Sequence, residues 1–129
     1  MNERFDSFEE FWPFYVREHS KKLTRQLHFA GTTAALCCLA GGLLGRRPWL
    51  IALAPVAGYG PAWLSHLLIQ KNRPATFRHP LFSLAADFVM WGKMIAGTMD
   101  DEVAAVLEVD RSVAPAAPRP TPATDPTLN

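Results

Sequence analysis

Four histidines, His19, His28, His66 and His79, are the residues of this chain whose chemistry most needs explaining. Neutral imidazoles suit a borderline first-row cation such as Fe(II) or Zn(II). No HExxH or HxxxH pair is present, so the fold must gather the rings if they act together. His19 and His28 stand nine positions apart, which places them on opposite faces of one continuous helix. A shared site therefore requires a break between residues 20 and 24, where the run Ser-Lys-Lys-Leu-Thr is polar enough to supply one. The competing reading keeps the histidines apart, each bonded to backbone or to lipid headgroups. A pair such as His28 and His66 could also clasp a haem. Asp87 lies within an apolar run, an expensive place for a carboxylate without a partner, and is a functional candidate by default. Tyr59, on the same helical face as His66, is a further candidate.

The elements that must position these groups are apolar and helical. Phe5, Phe8, Trp12, Tyr15 and His19 recur at spacings of three and four, giving an amphipathic helix whose aromatic stripe suits a membrane surface. Ser7 and Glu10 resemble a capping box, and Pro13 should bend the helix or start a second one. Residues 26–45 carry no Asp, Glu, Lys or Arg and are long enough to cross a bilayer. On that run His28, Gly31, Ala35, Cys38, Gly42 and Gly45 form a stripe of small residues that lets another helix approach closely. Residues 48–70 form a second such run, expected to be broken between Pro55 and Pro61. After a polar loop at 71–78, residues 80–99 form a third, with Lys93 reaching for the far surface.

The expected fold is therefore an all-α integral membrane bundle of about three transmembrane helices plus the N-terminal amphipathic helix. Residues 1–107 form the membrane-embedded domain, and 108–129 form a Pro/Ala-rich disordered tail. Three crossings put Arg4, Arg17, Lys21, Lys22, Arg25, Lys71, Arg73 and Arg78 on one side against Arg46 and Arg47 on the other, so the first side is expected to be cytoplasmic and to collect all four histidines. Asp100, Asp101 and Glu102 then begin the tail on the outer side. A net charge of +1 without interleaved basic and aromatic residues argues against nucleic acid as a partner. Cys37 and Cys38 read as small packing residues, and no cleavable leader is expected from a charged, aromatic N-terminus.

The segments FWPFYVREH around His19, LHFAGT around His28, and SHLLIQKNRPATFRHPLFSLAADF resemble a family of small membrane proteins. Its characterised fungal member is an Fe(II)-dependent 2-hydroxy fatty acid dioxygenase that serves the conversion of phytosphingosine to odd-numbered fatty acids. The likeness runs from about Phe8 to Met99, with NRPAT and HP its most specific elements. The family often has Asn-Pro soon after the first histidine, where this chain has Ser20, Lys21 and Lys22. The resemblance implies an Fe(II) cofactor held by His19, His28, His66 and His79, with a 2-hydroxy fatty acid and O2 as substrates, in a bilayer-embedded chain that could form a homo-oligomer. Asp87 would accept from a ligand histidine or replace one as a ligand. Tyr59 would bond a ligand or an oxygen species, or simply pack. Arg25 and Arg73 would hold the carboxylate or serve only as positive-inside charges, and Asn72 and Thr76 would order the loop beside the substrate.

Overall fold

Ser7 starts the first helix. Its hydroxyl oxygen accepts from the Glu10 amide at 3.2 Å, and the Glu10 carboxylate reaches back to the Asp6 amide, so amides at the head of α1 (Phe8–Glu18) are satisfied. The computed structural model describes residues 4–114, and every regular element in it is helical. Helix α1 runs on through Pro13 and stops at His19, whose backbone leaves helical geometry. The next helix, α2 (Lys22–Leu44), starts after a three-residue break, which is where two histidines nine positions apart require one.

Helix α2 and helix α3 (Pro48–Ser65) form a tight antiparallel hairpin around a turn at Arg46, which adopts φ of 52°. The small-residue stripe does what its spacing predicts. A Cβ on Gly31 would lie 2.6 Å from the Gly58 carbonyl oxygen, and one on Gly42 would lie 2.6 Å from Ile51 Cγ1. Only glycine permits backbones this close. Helix α3 is not broken between Pro55 and Pro61; it passes through both prolines. The carbonyl of Ala57, left without its amide partner by Pro61, faces Gly31. The helix changes instead at its end, where His66–Gln70 widens into a π turn and Lys71 closes it in the left-handed conformation at φ 59°.

The rest of the chain builds a platform at the open end of the hairpin. A short 3-10 turn (Ala75–Phe77) leads to α4 (Pro80–Ala96), and Gly97 at φ 74° turns the chain into α5 (Met99–Val113). Phe11, Tyr15 and Val16 of α1 are buried against Ala86 and Met90 of α4 and Met99 and Val103 of α5. Of the aromatic stripe expected at a headgroup layer, Tyr15 is buried in this core, and Phe5, Phe8 and Trp12 pack partly buried against it. Helix α5 also carries the folded part past residue 107, with Asp110 pairing Arg17 at 3.3 Å; the remainder of the expected tail, residues 115–129, lies outside the described residues.

This platform corrects the three-span expectation. At the start of α4, Phe82 packs on Phe11, and His79 faces Phe5 and Phe11. Just beyond its end, Asp100 bonds Arg25 at 2.7 Å. A third crossing would hold Arg25 and Asp100 a bilayer apart, so α4 instead lies across the base of the hairpin. Lys93 likewise stays at this end, donating to Glu102 at 2.8 Å beneath the Trp12 ring. Among the described residues one helix, α2, is long and apolar enough to cross a membrane. The outer faces of the hairpin expose Leu43, Leu44, Trp49, Val56 and Leu64.

Glycine substitutions test the hairpin contact directly. Gly31→Ala should destabilise the fold by about 1–3 kcal/mol through backbone overlap. Gly60→Ala, where a Cβ meets nothing within 4 Å, should leave the melting midpoint in detergent unchanged or raise it. Equal midpoints for the two variants would refute the close crossing.

Candidate metal centre

Two breaks in helical geometry and one continuous helix bring three imidazoles to one point. His19 caps the end of α1, His28 sits nearly two turns into α2, and His66 opens the π turn after α3. All three are buried, at 1%, 5% and 1% exposure. Their Nε2 atoms form a nearly equilateral triangle with sides of 3.2 Å (His19 to His28), 3.1 Å (His28 to His66) and 3.0 Å (His66 to His19). Nitrogens bound to one cation at about 2.1 Å and at roughly 90–110° to each other stand about 3.0–3.4 Å apart, so the triangle fits a single first-row ion.

The partners on the far side of each ring decide which nitrogen carries the proton. His19 Nδ1 donates to the Tyr15 carbonyl at 2.7 Å, four residues back along α1. His66 Nδ1 donates to Asn72 Oδ1 at 2.7 Å; the Asn72 amide nitrogen in turn donates to the Glu18 carbonyl and carboxylate, which fixes the oxygen toward His66. His28 Nδ1 lies 3.2 Å from Asp87 Oδ1. Each Nδ1 faces an acceptor, so each carries hydrogen, and all three Nε2 atoms point bare lone pairs at one another. Burial, then the neighbouring His28 and His66 rings, hold His19 well below the usual imidazole range, so it is neutral at pH 7.

Asp87 is positioned from both sides. Tyr15 donates its hydroxyl to the oxygen that faces His28, while the Tyr15 ring stacks on His19 with centroids 4.0 Å apart. Burial and then Asp87 push the Tyr15 phenol well above its ordinary range, keeping its proton available for that bond. The space enclosed at the triangle is about 10 Å³, bordered also by Tyr59, Thr76 and Ser83. That is room for a water-sized group and excludes a porphyrin between His28 and His66. Ser83 Oγ is buried and is, among the described residues, a side-chain oxygen without a hydrogen-bond partner.

The remaining residues predicted from sequence fall elsewhere. His79 does not join the triangle; its ring packs on Phe5 and Phe11, centroids 5.1 and 5.6 Å away, because the 3-10 turn before α4 swings it toward α1. Arg25 is 4% exposed and donates to the carbonyls of His19 and Ser20 and to Asp100, tying down the break between α1 and α2. Its guanidinium is the main cause holding Asp100 below the ordinary carboxylate range. Arg73 is exposed over the Phe77 ring. Asn72 orients His66, Thr76 borders the enclosed space, and Tyr59 lines it from α3. Tyr15 and Ser83 were missed as site residues. Tyr15 had a local signal, since it stands four positions before His19 on one helical face, whereas its bond to Asp87 spans the chain.

Replacing His19, His28 or His66 by Ala should reduce bound iron or zinc to below about a tenth of an equivalent after anaerobic purification, whereas His79→Ala should retain the wild-type content. Metal analysis checks this, and retention by any of the first three variants removes that residue from the set.

No curated protein and no solved structure matches the chain. The family Mpo1-like, described as 2-hydroxy-palmitic acid dioxygenase Mpo1-like, matches residues 5–99, a stretch that contains all three converging histidines together with Tyr15, Asn72, Ser83 and Asp87. With a match of that extent, this chain belongs to the Mpo1-like family.

Proposed function

We propose that this protein is a membrane-anchored, non-haem Fe(II) dioxygenase that shortens 2-hydroxy fatty acids by one carbon. The observation that carries the reading is the convergence of three bare Nε2 lone pairs at 3.0–3.2 Å, each ring held in that tautomer by an acceptor behind it. The family supplies the substrate class. The reaction balances without a reducing cofactor: the bond between carbons 1 and 2 breaks, carbon loses four electrons, O2 gains them, and the products are the shorter acid, carbon dioxide and water. Fe(II), when bound, would bring the hydroxy acid and O2 together and pass electrons between them.

The chain's own residues supply positioning and exclusion of water. Asp87 serves as the acceptor behind His28 rather than as a ligand, because the oxygen near His28 already accepts from Tyr15 and lies on the Nδ1 side of the ring. Ser83 Oγ, without a partner, and the hydroxyls of Thr76 and Tyr59 are the polar groups bordering the enclosed space that a carboxylate or 2-hydroxyl can meet. The anchor in this reading is the α2–α3 hairpin: α2 spans 23 residues, roughly the length a bilayer core needs, and presents leucines outward, while α3 presents leucine and tryptophan. Arg17, Lys21, Lys22, Lys71 and Arg73 gather around the platform while Arg46 and Arg47 mark the hairpin tip, which favours a platform on the cytoplasmic side.

Iron-loaded protein given 2-hydroxypalmitate under air should release the chain-shortened acid and carbon dioxide in equal amounts, with one O2 consumed per turnover. Absence of the shorter acid at full iron loading would contradict the reading. Ser83→Ala should keep its metal while raising KM by roughly 5–10-fold, the loss of one hydrogen bond to the bound acid. An unchanged KM would remove Ser83 from the substrate contacts.

A further inference from the structure

An apolar trough leaves the metal centre along the hairpin, and its composition is graded. His28, Tyr59, Ala62 and Asp87 border both the enclosed space at the triangle and a larger cavity of about 410 Å³ that runs between α2, α3 and α4. Its floor is made of the smallest side chains on the two helices, Ala35, Ala54 and Gly58; a Cβ on Gly58 would already touch that of Ala35 at 3.3 Å. Leu84 and Phe88 of α4 form one wall, and both are nearly half exposed. Leu39 and Ile51 stand at the far end, where the Gly42 position meets Ile51 and the two helices close on each other.

We infer that this trough seats the hydrocarbon tail of the 2-hydroxy acid and that Leu39 and Ile51 set the length of tail it admits. The head of the acid is placed by the dioxygenase reading above, on which this inference rests; the tail's path follows from the trough's continuity with the triangle and its apolar lining. From His28 to Leu39 is eleven positions, and so is Ala62 to Ile51. At 1.5 Å per residue that is roughly 16 Å of helix. An extended alkyl chain advances about 1.25 Å per carbon, given carbon–carbon bonds of about 1.5 Å. The trough therefore holds about thirteen carbons beyond the two reacting ones, a fatty acid of about fifteen carbons in all.

The test uses the full chain in detergent micelles with Zn(II) bound, so that 2-hydroxy acids of eight to twenty carbons bind without turnover. Displacement of a fluorescent fatty acid reads affinity. Wild-type affinity should rise by up to about fourfold per added methylene until the trough is full at about fifteen carbons, then level off. Leu39→Trp should move the plateau to shorter acids by several carbons, while Leu39→Ala and Ile51→Ala should move it to longer ones, all at wild-type zinc content. Length profiles that are the same in wild type and all three variants overturn the inference. Turnover of the same series with Fe(II) separates the two readings: graded, variant-dependent binding without chain-shortened product would strike the dioxygenase assignment and leave the tail site standing.

Discussion

Three unshared electron pairs aimed at one point repel one another, and the fold holds them there at about 3 Å. A cation turns that repulsion into three bonds, and nearly everything at the base of the hairpin is arranged to keep the nitrogens ready for one. Three different kinds of acceptor stand behind the three rings: a backbone carbonyl for His19, a side-chain amide for His66 and a carboxylate for His28. Each acceptor is itself held. The Tyr15 carbonyl belongs to an intact helix, Asn72 is pinned by Glu18, and Asp87 receives the Tyr15 hydroxyl. Orientation behind the ring is what makes neutral imidazole a ligand rather than a proton carrier.

The molecule divides this work between two parts. The hairpin of α2 and α3 supplies two of the three histidines and is joined by glycine contacts that a larger residue would break. The platform of α1, α4 and α5 supplies the third histidine, both members of the Tyr15–Asp87 pair, and the aromatic core that keeps α1 in place. Arg25 ties the parts together by capping the carbonyls of His19 and Ser20 while bonding Asp100. A buried guanidinium held by two carbonyls and a carboxylate is costly to disturb, and here it fixes the backbone break on which the position of His19 depends.

Much of this was legible in the sequence, for physical reasons that can be named. Helical spacing exposed the small-residue stripe on α2, and the geometry of nine residues demanded a break between His19 and His28, which the structure places at residues 19–21. Asp87 stood out because a carboxylate in an apolar run needs a partner. Other features were hidden because they depend on contacts between distant segments. Hydropathy cannot distinguish a helix that crosses lipid from one that lies along its neighbours, so α4 has the composition of a third span although its start packs on Phe11 and Asp100, just past its end, bonds Arg25. Proline suggested a broken α3, but a proline removes only one hydrogen bond, and the carbonyl it frees lies against Gly31. His79 shares residue type and neighbourhood with the other histidines, yet a short 3-10 turn points it at phenylalanines. Chemistry at the sequence level offered four candidate ligands, and the fold brings three of them together.

The nitrogen shifts of 15N-labelled histidine, recorded by NMR on the full chain with and without Zn(II), test the central claim most directly. The account predicts that three histidines are protonated at Nδ1 throughout and that zinc moves the signals of their Nε2 atoms alone, leaving the fourth histidine, His79, unchanged. Zinc-induced shifts at Nδ1, or at His79, or at no histidine, would contradict a centre built on these three Nε2 atoms.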